Sequence, residues 1–146
     1  MKWQIISIGK PSLDYAKSGI AEYTKRLRRY TKLEMIQQKE AGQEKNSRFL
    51  LDASEGAFRI VLDERGKAPS TREFATDVET WQNNGMKKIA LLIGGADGHN
   101  QQVRDAADLI WSLSGFTLQH ELALVVLLEQ IYRVHTVLKG EPYHRD

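Results

Sequence analysis

Ile89-Ala90-Leu91-Leu92-Ile93, followed at once by Gly94-Gly95-Ala96-Asp97-Gly98, decides the architecture. Five apolar residues without alternation describe a strand covered on both faces, which is the pattern of a parallel sheet packed between helices. Outward from it, strand and helix signals alternate. Upstream, Ser70-Thr71-Arg72-Glu73 spells a capping box that opens a helix running to Asn83, where Asn84-Gly85 turns the chain. Before that helix, Phe58–Leu62 reads as a strand closing into the turn Glu64-Arg65-Gly66-Lys67. Near the start, Trp3–Ile8 is a β-branched strand ended by Gly9-Lys10-Pro11. Ser12 is then the expected N-cap of a helix to about Arg29, whose Ala16, Ile20, Tyr23, Leu27 and Tyr30 form one apolar stripe. Leu33–Ile36 is a further short strand, and the polar stretch 38–54 carries a weak helix at Arg48–Ala53.

Downstream, a short helix near Gln101–Ala107, a strand at Leu109–Leu113 and a long helix over about Glu121–Leu138 complete the series. Apolar residues lie on nearly every side of that last helix, so it is expected to be buried or to sit in a subunit interface. The alternation predicts an α/β fold with a mainly parallel sheet and helices on both faces. At 146 residues the chain is expected to form one domain, residues 1–146.

Composition narrows the chemistry. The chain has no cysteine, which excludes disulfides, thiolate metal sites and a cysteine nucleophile. His120-Glu121 starts like a zinc-binding H-E-x-x-H, but Leu124 occupies the second histidine's place, so no metal is expected. His120 and His135 read as structural histidines. The longest apolar run, Leu122–Leu128, is far short of the ~20 residues of a membrane span. No secretory leader is evident, so a cytoplasmic protein with no membrane partner is expected.

In a parallel sheet, ligands bind at the carboxyl ends of the strands. The loops there are Leu62-Asp63-Glu64, Gly94–Gly98 and Leu113–Leu118. The glycines suit close approach of a ligand to the backbone, although a plain strand-to-helix turn would use them too. Neither G-x-G-x-x-G nor a phosphate-binding P-loop is present. The chain's ending, Pro142-Tyr143-His144-Arg145, joins an aromatic, an imidazole and a guanidinium. Histidine exchanges its proton near neutrality and arginine holds anions, so Tyr143, His144 and Arg145 are the candidate catalytic residues.

Charge is uneven along the chain. Residues 1–90 hold 17 of the 21 Lys and Arg but 12 of the 19 Asp and Glu. Lys25, Arg26, Arg28 and Arg29 cluster against the single acid Glu22, the footprint of a polyanion-binding surface and the candidate RNA contact. A solvated helix face would look the same, and an Arg26–Glu22 pair at i, i+4 would remove Arg26 from the set.

Ile93-Gly94-Gly95-x-x-Gly98, Leu113-Ser114-x-x-Thr117-Leu118-x-His120, Glu129-Gln130-x-Tyr132-Arg133 and Gly140-x-Pro142-Tyr143-His144-Arg145 together resemble the RlmH family of SPOUT-class methyltransferases. Gly9-Lys10 and Glu22-Tyr23-x-x-Arg26 resemble the family's start, so the likeness spans the chain. It implies a C-terminal trefoil knot, an exception to unknotted topology, and S-adenosyl-L-methionine as cofactor. By motif, the cofactor contacts are Leu62, Gly94, Leu113, Ser114, Gly115, Phe116, Thr117 and Leu118. The resemblance also implies a homodimer that methylates N3 of a pseudouridine in helix 69 of 23S rRNA on the assembled ribosome. Gln119 departs from the family's usual proline, Leu124 from a frequent arginine, and residues 38–57 are fewer than usual. Two other classes stand beside this reading: a non-catalytic RNA-binding module on the same fold, and a doubly wound nucleotide-binding protein, which the missing phosphate fingerprint disfavours.

Overall fold

The computed structural model describes residues 1–144. Strand β1 (Lys2–Ile8) is followed by α1 (Asp14–Leu27), β2 (Lys32–Gln38), α2 (Gln43–Ala53) and β3 (Phe58–Lys67). Then come α3 (Thr71–Asn83), β4 (Lys88–Ile93), α4 (Gln101–Asp105), β5 (Leu109–Trp111) and α5 (His120–Leu138). The five strands form one parallel sheet in the order β2-β1-β4-β3-β5. The apolar β4 lies between β1 and β3, with Trp3 opposite Ile89, and Ile60 opposite Leu91. Its side chains alternate between two cores, as the period-2 geometry of a strand requires. Ile89, Leu91 and Ile93 join Trp3, Ile5 and Ile60 under α1, α3 and α5. Ala90 and Leu92 join Ile6, Ile8 and Val61 under Leu50 of α2 and Val103 of α4. Helices therefore cover both faces, and none is long and apolar enough among the described residues to cross a membrane.

Several element ends differ from the sequence reading, each because of a partner distant in the chain. Strand β3 does not stop at Leu62. Leu62 and Lys67 both lie opposite Trp111, with a bulge between them, and the Ser112 amide donates to the Lys67 carbonyl at 2.9 Å. The expected turn at residues 64–67 is thus an excursion that returns to β5. Ser12 does not cap α1. The N-cap is Leu13, without a side-chain cap. The buried Glu121 of α5 accepts from the Ser12 and Leu13 amides instead, at 2.5 and 3.0 Å. Those amides, the Leu13 one foremost, hold the Glu121 carboxyl below its usual range, and the carboxylate complements the helix start. The capping box at Ser70 and Glu73 forms as expected, with both reciprocal bonds present.

His135 behaves as a structural histidine. Trp3 Nε1–H donates to its Nε2 at 3.0 Å, which needs a ring lone pair and so a neutral imidazole. Burial, reinforced by Lys139 and the amino terminus, pushes its pKa down to about 4. An unfolded histidine titrates near 6.5. The unfolded chain therefore takes up this proton first as pH falls. Stability from the neutral ring is complete above pH ~6.5 and is lost as pH falls through the folded pKa, by up to about 3 kcal/mol. Urea unfolding at pH 7.5, 5.5 and 4.5 should show a steeper loss in the parent than in His135→Gln, which keeps an acceptor for Trp3 without a titrating group. Parallel losses would contradict this assignment.

Candidate active site

At the carboxyl ends of β3, β4 and β5 lies a cleft of about 570 Å3, within the usual range for a small-molecule site. Leu62, Gly94, Leu113, Ser114, Phe116, Thr117 and Leu118 line it, and Gly115 lines an adjoining hollow of about 360 Å3. The eight residues singled out from three loops thus meet in one place. Leu62, Ile93, Leu113 and Leu118 supply apolar wall, suited to a flat heteroaromatic ring, while Ser114 and Thr117 add hydroxyls. Phe116 stands at the lip, 83% exposed.

The glycine loop is shaped by protein contacts more than by room for a ligand. A Cβ on Gly94 would come 3.1 Å from the His99 ring, and one on Gly95 would overlap the Glu40 carboxylate. Glu40 accepts from the Ala96 amide at 3.1 Å and from Asn46 Nδ2, and Gln43 Nε2 donates to the Asp97 carbonyl at 2.9 Å. The start of α2 therefore braces the loop. These bonds, Asn46 first, hold the Glu40 carboxyl below its ordinary range. Asp63, where β3 reaches the cleft, accepts from Arg65 Nη2 at 3.2 Å and Arg104 Nε at 3.1 Å. Burial alone would raise the Asp63 carboxyl, but the bonds from Arg65 and Arg104 hold it far below the carboxylate range.

His99 was not among the expected site residues. It is 3% exposed, lines the cleft and sits 3.0 Å from the Leu62 carbonyl through Nε2. Nothing local in the sequence signals this contact, because Leu62 lies 37 positions away. His120 corrects the structural reading given to it: the side chain is exposed at the cleft rather than packed in a core, since it opens α5 beside Gly9, where β1 has ended.

Among the described residues, Tyr143 and His144 of the tail do not line the cleft of their own chain. Tyr143 packs against Tyr132 with ring centroids 4.7 Å apart, lies under the Arg133 guanidinium at 4.8 Å, and shares a 3.4 Å hydroxyl contact with Tyr23. The cleft touches α5 only at His120 and Ala123, whereas Tyr143 reaches it at Glu129, Tyr132 and Arg133. Six helical residues separate Ala123 from Glu129, about 9 Å along the axis. His144 is half-buried, and its Nδ1 has no hydrogen-bond partner among the described residues. Arg145 lies outside the described residues.

On α1, Arg26 pairs with Glu22 at 2.6 Å and lies over the Tyr23 and Tyr132 rings. Its guanidinium is therefore engaged within the fold. Lys25, Arg28 and Arg29 remain exposed at the end of that helix. The two departures from the family pattern have local explanations. Gln119 caps α5, its side-chain oxygen accepting from the Glu121 and Leu122 amides at 3.0 Å. Leu124 is 3% exposed in the larger core.

Comparison with known proteins identifies the family. A family model described as "Predicted SPOUT methyltransferase" matches residues 1–144. Ribosomal RNA large subunit methyltransferase H of Thermus thermophilus is 45% identical over 145 residues, covering 99% of each chain. The protein of the same name from Thiobacillus denitrificans is 39% identical over 157 residues, covering both chains fully. Among solved structures, a methylase family protein of Haemophilus influenzae superposes with a TM-score of 0.59 at 10% identity, over 99% of this chain and 70% of that one. That likeness speaks for the fold alone. The family match and the relatives, each spanning nearly all of the chain, carry the assignment: this chain belongs to the RlmH family of SPOUT methyltransferases.

Proposed function

We propose that this protein methylates N3 of a pseudouridine in helix 69 of 23S rRNA, on the assembled ribosome, with S-adenosyl-L-methionine as methyl donor. The observation that carries the reading is the convergence of Leu62, Gly94 and Leu113–Leu118 on one cleft at the strand ends. The donor set fits such a cofactor: apolar wall for its adenine, hydroxyls for its polar groups, and arginines beside Asp63 near its charges. S-adenosylmethionine supplies an activated methyl group, so the N3–H bond breaks, an N3–C bond forms and the S–CH3 bond breaks. The chain's own residues must bind, orient and manage the proton. His144 takes the N3 proton, Arg145 offsets charge developing on the pyrimidine, and Tyr143 orients the base.

The same reading includes a homodimer and a trefoil knot. Tyr143 rests against Glu129, Tyr132 and Arg133 of α5 and does not line the cleft of its own chain, so in this reading a partner's tail completes each site. Leu122, Val125 and Val126 of α5 stay half-buried in one chain, as an interface helix would leave them. The knot enters this reading from the family membership alone.

Calorimetry with S-adenosylmethionine, followed by methyl transfer from labelled cofactor to ribosomes and to free rRNA, tests the proposal. Binding with transfer to ribosomes is expected. Absence of cofactor binding would remove the enzyme reading and favour the non-catalytic RNA-binding module.

The basic face gives a separate expectation. Arg28→Glu with Arg29→Glu should weaken ribosome binding and lower the salt slope by roughly 1.5, the share of two phosphate contacts. Cofactor affinity should stay unchanged, because neither residue lines the cleft. Unaltered ribosome affinity would make the cluster an ordinary solvated face.

A further inference from the structure

We infer that His99 is a positioning residue for the ligand of this cleft: its Nε2–H holds the Leu62 carbonyl so that the second oxygen lone pair faces a hydrogen-bond donor on S-adenosylmethionine. The inference deepens the functional reading above and rests on it.

The argument starts from the break in the sheet. Leu62 is the last β3 residue in register with both neighbours, opposite Ile93 of β4 and Trp111 of β5, before the bulge that ends at Lys67. A bulge disrupts the ladder locally and leaves backbone groups in need of other partners. The Leu62 carbonyl finds His99 Nε2 at 3.0 Å. A carbonyl can only accept, so the ring carries its proton on Nε2, and the oxygen's two lone pairs give it capacity for a second donor beside that bond. The donor it suits is an exocyclic amine or a ribose hydroxyl.

The same ring backs the glycine loop. A Cβ on Gly94 would stand 3.1 Å from Cε1 and 3.2 Å from Nδ1, so the imidazole lies directly beneath Gly94. Nδ1 is buried without a hydrogen-bond partner of good geometry among the described residues. Burial pushes the ring's pKa below the ordinary histidine value, outweighing the Leu62 and Leu92 backbone groups and the Asp63 carboxylate, with Arg104 acting in the same sense as burial. One side chain on the loop after β4 thus sets two backbone positions of the cleft, Leu62 on β3 and Gly94 on β4.

The test compares the full-length parent, His99→Gln and His99→Leu. Glutamine can place an amide N–H where Nε2–H stands, whereas leucine fills the space without a donor. Calorimetry with S-adenosylmethionine should show about tenfold weaker binding for His99→Leu, the loss of one well-placed hydrogen bond. His99→Gln should bind within about threefold of the parent, and kcat at saturating cofactor should hold within about threefold in both. The imidazole 15N signals of the parent should report the neutral Nε2–H form and shift on cofactor addition, a readout that does not depend on any variant folding. Parent-like affinity in His99→Leu, equal weakening by Gln and Leu, or 15N signals unmoved by cofactor would each overturn the inference. A parent that binds no S-adenosylmethionine would overturn the functional reading itself and this inference with it, a result distinct from the others.

Discussion

Replacing His144 by alanine is expected to lower turnover by roughly 10²–10⁴-fold, the usual range for loss of a general base, with S-adenosylmethionine binding unchanged. In the proposed reaction the N3–H bond of the pyrimidine must break as the methyl group arrives, and His144 is the imidazole that the sequence sets between an aromatic and an arginine near the chain's end. Its Nδ1 is without a hydrogen-bond partner among the described residues, so no bond within them holds that nitrogen. The pH profile separates a base from a residue that only orients RNA. A base gives a rate limb that titrates in the parent and is absent from the variant. A loss under tenfold, or a limb that persists, would assign the proton to another group and leave Tyr143 and Arg145 as orienting residues. Deleting residues 143–146 should abolish turnover with little change in cofactor affinity, because neither Tyr143 nor His144 lines the cleft. The separation of tail and cleft in one chain also predicts complementation. A subunit carrying His144→Ala, mixed with one whose cleft is blocked by Gly94→Val, should regain activity that neither has alone. Two inactive parents giving an inactive mixture would place tail and cleft in the same subunit.

Gly66→Ala should destabilise the protein by about 3 kcal/mol, the upper part of the range for overpacking, and should deform the cleft as well. A Cβ there would lie 2.6 Å from the Ile110 carbonyl oxygen and 2.9 Å from the Trp111 carbonyl carbon. Both are backbone atoms of β5, which cannot swing aside as a side chain can. The strain falls where β3 returns to pair through Lys67, and Ser112, Leu113 and Ser114 of the cleft follow directly. Urea unfolding and cofactor calorimetry on the same variant should therefore both report losses. Gly85→Ala is the control: no atom lies within 4 Å of its added Cβ, so its loss reflects the strain of a φ of +73° and should leave cofactor affinity unchanged. Full stability in Gly66→Ala would mean that β3 and β5 can separate at the bulge without cost.

The two variants differ in how visible their residues are in the sequence. The apolar run at Ile89–Ile93 became the buried β4, and the Ser70–Glu73 box became a capped helix, because periodicity and capping act within a few residues. Motif likeness likewise marked Leu62, Gly94 and Leu113–Leu118, which the fold brings to one cleft. Other features depend on partners that no local pattern names. Glu121 caps the start of α1 across 108 positions, Trp3 meets His135 across 132, and Tyr143 reaches Tyr23 across 120. His99 gains its place from a carbonyl at a bulge in another strand, and Arg26, whose pairing with Glu22 the i, i+4 spacing already offered, also lies over the Tyr132 ring of α5. Local sequence specifies which backbone conformation each stretch prefers and which face is apolar. The pairing of buried polar groups is settled only when the sheet closes, since each donor or acceptor removed from water must then take whichever partner the packing delivers.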